Sequence, residues 1–480
     1  MASTFLSLQI GLSSLQASTL GAQTAGHNIA NASTDGYARE TTNVQTAVSL
    51  PVFTDHYNYL GQGVNGNGQS RVSDASVNSQ YRDNNSSQSY WGLKDTEIGY
   101  VQQIFNEPTG TTLRQSVDNF FSSWNQLAQN PADYGARAAA LQASQSLTDS
   151  FHVTANALTQ DFNRYQSELS AGTSEVNTLA QSIADLNQQI VKATTRGAAP
   201  NDLLDQRSAL LDQLSGYAKI TTQAQADGSV TVSLNLNQGT STFAPASSAA
   251  LVTGGSVTAT VSSTAASATA TGSTPATVNV ADLFDQGGQL SAMYDMANYV
   301  SDPATGKGVL DQLNQLASEV VKTVNTQYSQ GYDLNGNTGM SLFVGTNLTA
   351  SNIQVDPGLT TSTLDQIAAS GTNTAGGQNQ TDGTNAAAIA NLYSTYDQGT
   401  GAVSYSSIVS QLGIDGAAAH EQNQTFTALT TQVTQLRQSI SGVNINEEMA
   451  NLVRYQQQYN ASAQFVNVFN QMLTTLIQEV

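Results

Sequence analysis

The chain has 480 residues, room for two or three domains, and carries 35 acidic against 15 basic side chains for a formal net charge of −20. That balance disfavours nucleic acid and anionic membrane as partners, because both attract basic patches. Charged residues make up only 10% of the chain, against about 25% in ordinary soluble domains, so Asn, Gln, Ser, Thr and Ala cover the surface. Cysteine is absent, which removes disulfides, thiolate metal sites and a cysteine nucleophile. There is no run of 18 apolar residues to span a membrane, and the first basic residue is Arg39, so the N-terminus lacks the positive region of a secretory signal. Export would need another route.

In chain order, Phe5, Leu8, Leu12, Leu15, Thr19, Ala22, Gly26 and Ile29 recur at spacings of three and four and predict a first amphipathic helix. The string that follows, from His27 to Arg39, reads as a helix end in Asn-rich turns, with Asp35-Gly36 a tight turn that sends Tyr37 back to the structure. Residues 40–72 read as short strands and loops. They include a literal GxGxxG at Gly61–Gly66, but without a strand-then-helix context this predicts a glycine-rich hairpin rather than a dinucleotide site. Helices are expected from Val77 to Phe105 and from Leu113 to Leu127, the second stopped by Pro131.

From Phe151 to Ile190 the three-four rhythm is unbroken and predicts a long strut-like helix, ended by Gly197 and Pro200. Asn201 is expected to cap a return helix carrying Leu203, Leu204, Leu210, Leu211 and Leu214. The period then switches to two at Val230, Val232, Leu234 and Leu236, just after the turn pair Asp227-Gly228, and repeats weakly at Val257, Ala259 and Val261. Residues 219–282 are therefore expected to be an inserted β-domain with its own small core, including a low-complexity tract from Ser262 to Thr277. Helices resume near Leu290 and Leu310. A calcium loop is suggested at Tyr332–Gly339, but it lacks the glycine and the bidentate glutamate such a loop requires, so a turn is expected. Residues 345–384 read as loop, short helices follow Asn385 and surround Ile408, and a helical stripe from Phe426 to Ile440 changes phase at a joint, Ser441–Asn444.

The last helix carries a coiled-coil stripe of Leu452, Tyr455, Tyr459, Ser462, Val466, Phe469, Leu473 and Leu476. Its first turn holds Glu447 and Glu448, read as solvated charges at the positive end of the helix. Isolated helices are marginal in water, so both ends are expected to fold against one another and against further chains. Chemistry is missing: His27, His56, His152 and His420 are dispersed and outside any ligand spacing, no catalytic set can be nominated, and no cofactor or metal is implied.

The first helix with Asn28, Asn31, Gly36 and Tyr37 resembles the N-terminal signature of bacterial flagellar axial proteins. Residues 439–464 (SISGVNINEEMANLVRYQQQYNASAQ) and 200–214 (PNDLLDQRSALLDQL) are similar to the family of flagellar hook-associated protein 1, the first hook–filament junction protein. The resemblance implies a non-enzymatic structural subunit, secreted unfolded by the flagellar type III apparatus. It would self-associate in a ring and contact the hook protein, the second junction protein and an export chaperone at the C-terminal helix. It also implies that the paired ends, through Phe5, Leu8, Leu12, Leu15, Ile29, Leu452, Tyr455, Tyr459, Val466, Phe469, Leu473 and Leu476, form the assembly interface. The expected fold is mainly α with a small β insert: terminal helices at 1–40 and 441–480, a long-helix strut domain at 41–218 and 283–440, and the β insert at 219–282. The alternatives are another axial protein (hook protein or the second junction protein) and, from a different class, a secreted adhesin or fibre protein.

Overall fold

The computed structural model describes residues 2–53, 57–105, 112–236, 248–262, 276–283, 287–373, 381–393 and 404–478. His56 and most of the 262–277 tract lie outside the described residues. The chain is mainly helical with small sheets, and it forms two compact units. One gathers Met1–Ser89, Thr173–Gly288 and Phe426–Val480; the other gathers Tyr90–Gly172 and Gln289–Thr425. Helices α2 (Ala75–Phe105), α4 (Tyr134–Thr195) and α9 (Tyr405–Ser441) contribute residues to both. This partition groups the terminal helices with the β insert, where the sequence suggested separate segments.

In the first unit, α1 (Ala2–Ala30) leads into a ribbon in which β1 (Glu40–Thr46) pairs antiparallel with β4 (Val64–Arg71). The ribbon continues as β2 (Leu50–Phe53) paired with β3 (Tyr57–Leu60). The GxGxxG string is not the hairpin expected but the link from β3 into β4, strands that pair with β2 and β1 rather than with each other; Gly63, at φ +88°, leads into β4, and any side chain there would collide with Ser13 of α1. Helix α5 (Asn201–Tyr217) begins at Asn201 itself, so Asn201 is not its cap; its side chain instead turns inward, with Nδ2 donating to the Gln69 carbonyl at 3.5 Å.

The β insert is an antiparallel sheet in the order β5 (Ile220–Ala224), β6 (Val230–Asn235), β7 (Ser248–Thr253) and β8 (Ser256–Val257), beside a parallel pair, β9 (Ala259–Ser262) and β10 (Ala276–Asn279). Along β6 alternate residues are buried, as the period of two demands. The insert does not stand alone, however. Asn187 of α4 donates to the carbonyls of Val230 (2.9 Å) and Gly254 (2.6 Å) and accepts from the Val230 amide (3.1 Å). Asn177, three helical turns earlier, does the same with both backbone groups of Val261. Two asparagines thus satisfy sheet-edge groups that would otherwise be orphaned, and they fasten the insert to α4.

The second unit is built on α3 (Leu113–Gln129), α7 (Val309–Tyr328), α8 (Thr384–Asn391) and parts of α2, α4 and α9, with α6 (Gly288–Val300) alongside. Its core centres on aromatic rings. Trp124 meets Tyr328 edge-on at 5.9 Å, and Phe120 meets Phe343 at 5.7 Å. The stretch read as loop from residue 345 carries the short β12 (Gln354–Val355), which pairs with β11 (Phe343–Val344), and a single 3-10 turn at Leu364–Gln366, yet it plugs this core with Ile353, Leu364, Ile367 and Ala368. Arg137, fully buried, holds the stretch by donating to the carbonyls of Pro131, Leu364 and Ile367 at 2.7–2.9 Å. The suspected calcium loop is a turn, with the Asp333 carboxylate accepting the Asn335 and Asn337 amides. The segments around Ile408 and Phe426–Ile440 are one helix, α9, which approaches α2 at Gly416, where Gln102 donates to the Leu412 carbonyl at 2.8 Å.

Ahead of α8, Asp382 gathers hydroxyl donors from Ser370, Thr372 and Thr384. Partial burial pushes this carboxyl up, but the donors outweigh it and hold it well below the usual carboxylate range. A depressed folded-state value stabilises the fold above the unfolded-state pKa of about 3.9, and the contribution is lost as pH falls through the lower value. We expect Asp382→Asn to be less stable than the wild type at neutral pH, with the gap closing below about pH 4. Urea titrations across that range check it; a gap independent of pH would contradict the assignment.

Candidate assembly interface

Helix α10 (Ile445–Gln478) runs antiparallel along α1, as the pairing of the chain ends requires. The face α1 presents is not the apolar stripe read from the sequence. It is a row of small residues one position out of phase: Gly11, Ser14, Ser18, Gly21 and Ala25, ending in Asn28, and all but Ser14 are buried. A Cβ at Gly11 would lie 2.5 Å from Val466 Cγ2, and one at Gly21 would lie 2.5 Å from the Tyr455 ring. Between them the Ser14 and Ser462 hydroxyls share a hydrogen bond of 2.6 Å. Glycine and serine let the two helix axes approach, and the large residues of α10 fill the gap.

Of the residues singled out on α10, Leu452, Tyr455, Val466, Phe469 and Leu473 are half-buried, whereas Tyr459 is exposed. On α1, Leu8, Leu15 and Ile29 are half-buried and Leu12 is 53% exposed. Phe5 and Leu476 lie outside the described side chains. A second apolar row on α10, which the sequence reading missed, faces solvent: Met449, Val453, Val468 and Met472, the last 57% exposed, whereas the ring of Phe465 reaches α1 at Gly11. Its signal was a hydrophobic content spread around the helix, wider than one seam needs.

The four motif residues close the turn after α1. Asn28, fully buried, accepts the Glu40 amide (2.9 Å) and the Tyr37 hydroxyl (2.7 Å) at Oδ1, and Nδ2 donates to the Glu40 carbonyl (2.9 Å). Asn31 donates back to the His27 carbonyl (3.1 Å). Gly36, at φ +78°, takes the left-handed turn, where its Cβ would sit 3.0 Å from that of Ala209 in α5. Burial and the Glu40 carboxylate push the Tyr37 hydroxyl pKa far up, so it stays a donor.

Helix α5 anchors this turn. Asp205 accepts the Ala38 amide (3.2 Å) and pairs with Arg71, and Asp212 accepts from Arg82 (2.8 Å) and Arg437 (2.6 Å). Burial pushes the Asp205 carboxyl up against the opposing pull of Arg71. Arg207, desolvated and near Arg71 and Arg82, is brought down to about 10 while donating to Asn187 and the Gly228 carbonyl. The joint falls at Gly442–Asn444, where Asn444 caps α10 through the Asn446 amide (3.1 Å) and the Arg39 amide donates to the Ser441 carbonyl (2.8 Å). Glu447 pairs with Arg39 at 3.7 Å, but Glu448, expected in solvent, is buried. None of these charged residues approaches a nucleophile–base arrangement.

Comparison with known proteins fits this architecture. Residues 98–343 match the family model of the flagellar hook-associated protein FlgK helical domain, and residues 435–479 match that of the flagellar basal body rod FlgEFG protein C-terminal region. Flagellar hook-associated protein 1 of Bacillus subtilis is 27% identical over 515 aligned residues, spanning 99% of this chain and 98% of that protein. Its Escherichia coli counterpart is 25% identical and spans 97% and 98%. The solved structure of the flagellar hook junction protein FlgK from Burkholderia pseudomallei superposes with a TM-score of 0.59 at 18% identity, covering 76% of this chain and all of that one; it speaks to the fold. With the helical-domain model alone taking in just over half of the residues, the chain belongs to the FlgK family of flagellar hook-associated proteins.

Proposed function

We propose that this chain is exported unfolded through the flagellar type III apparatus and self-associates in a ring between hook and filament, with its terminal helices making the contacts between subunits. Family membership makes it a structural component of the bacterial flagellum, at the hook–filament junction. The observation that carries the assembly reading is the solvent-facing row on α10, Met449, Val453, Val468 and Met472, with Leu12 of α1 exposed as well. Four large apolar side chains on one helix, left uncovered after its other face has packed on α1, fit a surface completed by other chains. On this reading the hook protein and the second junction protein meet the ring from its two sides, and an export chaperone covers α10 before secretion.

The test is to complement a deletion strain with Val453→Asp/Met472→Asp. Both positions face solvent, so the purified protein should unfold within about 0.5 kcal/mol of the wild type. The cells should nevertheless build hooks without filaments and shed flagellin into the medium. Normal motility would sink the proposal, and so would an unfolded variant, because the row would then belong to the folded chain's own core.

A further inference from the structure

We propose that His27, Glu40 and Asp202 form a binding site for a borderline divalent cation of the zinc class. The three residues come from the last turn of α1, the first residue of β1 and the first turn of α5, and one donor atom from each lies within 4.8 Å of the others. His27 Nδ1 stands 3.5 Å from Glu40 Oε2, and Nε2 stands 3.8 Å from Asp202 Oδ1. Donors bonded to one tetrahedral zinc at about 2.0–2.2 Å sit roughly 3.4 Å apart, so small side-chain shifts would bring the set into range.

One further feature points to a cation. The Glu40 side chain is only 5% exposed and accepts no hydrogen bond among the described residues; its one ionic neighbour is His27, at 3.5 Å. Glu40 also lines the cleft onto which the three donors open, so this carboxylate is accessible to a ligand from that side.

The three donors open on a cleft also lined by Gln23, Gln69 and Gln206, so water can complete the coordination shell. One imidazole and two carboxylates favour zinc-like ions over calcium or magnesium, which prefer all-oxygen shells. Bound there, the ion would tie the end of α1 to α5 through bonds that none of the motif residues supplies. This site is separate from the apolar row on α10, so the failure of either proposal leaves the other standing.

Isothermal titration of the full-length protein with zinc chloride tests it. We expect one saturable equivalent and a rise in the thermal unfolding midpoint on adding the ion. Asp202→Asn, at a position 67% exposed and so harmless to the fold, should weaken binding at least roughly tenfold. His27→Gln should abolish it. His420→Gln removes another histidine beside a carboxylate, Asp95 at 3.1 Å, and should change nothing. No saturable binding by the wild type would overturn the proposal, as would binding that survives both site variants or that is lost in His420→Gln.

Discussion

Replacing Asp212 by alanine is expected to cost the unit that carries the terminal helices about 3–5 kcal/mol, the range for removing one partner of a buried ion pair. The carboxylate serves two guanidinium groups at once, Arg82 from α2 at 2.8 Å and Arg437 from α9 at 2.6 Å. All three side chains are less than one-fifth exposed. Arg437 also lies over the Tyr81 ring at 4.9 Å, and Arg82 donates to the Ser208 hydroxyl at 3.1 Å, so neither arginine can swing into water without breaking a second contact. The nearby Asp205 cannot substitute, being already engaged by Arg71 and the Ala38 amide. Asp212→Ala therefore leaves two like charges desolvated side by side. Asp212→Asn keeps the shape and one acceptor and should recover part of the loss. Urea unfolding followed by circular dichroism reads both; a loss under about 1 kcal/mol would place the trio in the class of solvent-screened surface pairs.

That triad also marks where the sequence stopped being legible. Periodicity alone gave the long helix, since apolar residues from Phe151 to Ile190 recur every three or four positions, and α4 covers them. The alternation from Val230 gave β6, and the phase change at Ser441–Asn444 gave the joint between α9 and α10. These features are local, and burying one face of a helix or strand writes them directly into the chain. Asp212, Arg82 and Arg437 are far apart in sequence, and each alone reads as a solvated charge. Asn177 and Asn187 likewise look like polar surface positions of a helix until the sheet edge they serve is in view. The motif residues could be located without their roles: nothing in the string around Asn28 says that its amide pairs with both backbone groups of Glu40. The seam on α1 was misplaced for a related reason. Hydrophobicity draws the eye to Leu8, Leu12 and Leu15, but a close helix pair is made by the residues that leave room.

Gly21→Val tests that seam, and it is expected to lower stability by about 1–2 kcal/mol even though valine is the better helix former. Glycine in a helix interior costs about 1 kcal/mol relative to alanine, so exchanging it for valine would by itself gain a few tenths. Against this, a Cβ at Gly21 lies 2.5–2.6 Å from three atoms of the Tyr455 ring, well inside van der Waals contact. The ring is restrained, with its hydroxyl 3.3 Å from Thr42 Oγ1 and the Arg454 guanidinium over its face at 5.2 Å. Making room for two further methyl groups means moving α10 or turning Tyr455 out of its contact, and overpacking of this kind typically costs 1–3 kcal/mol. The same helix contains its own control. Gly26, on the stripe that hydrophobicity picks out, has open space where its Cβ would be, so Gly26→Ala should keep the propensity gain and stabilise α1 by about 0.5–1 kcal/mol. Thermal and urea unfolding of the two variants should therefore move in opposite directions. If Gly21→Val were neutral and Gly26→Ala destabilising, α1 would pack on α10 through the large-residue stripe of Leu8, Leu15, Ala22 and Ile29 rather than through its small-residue face.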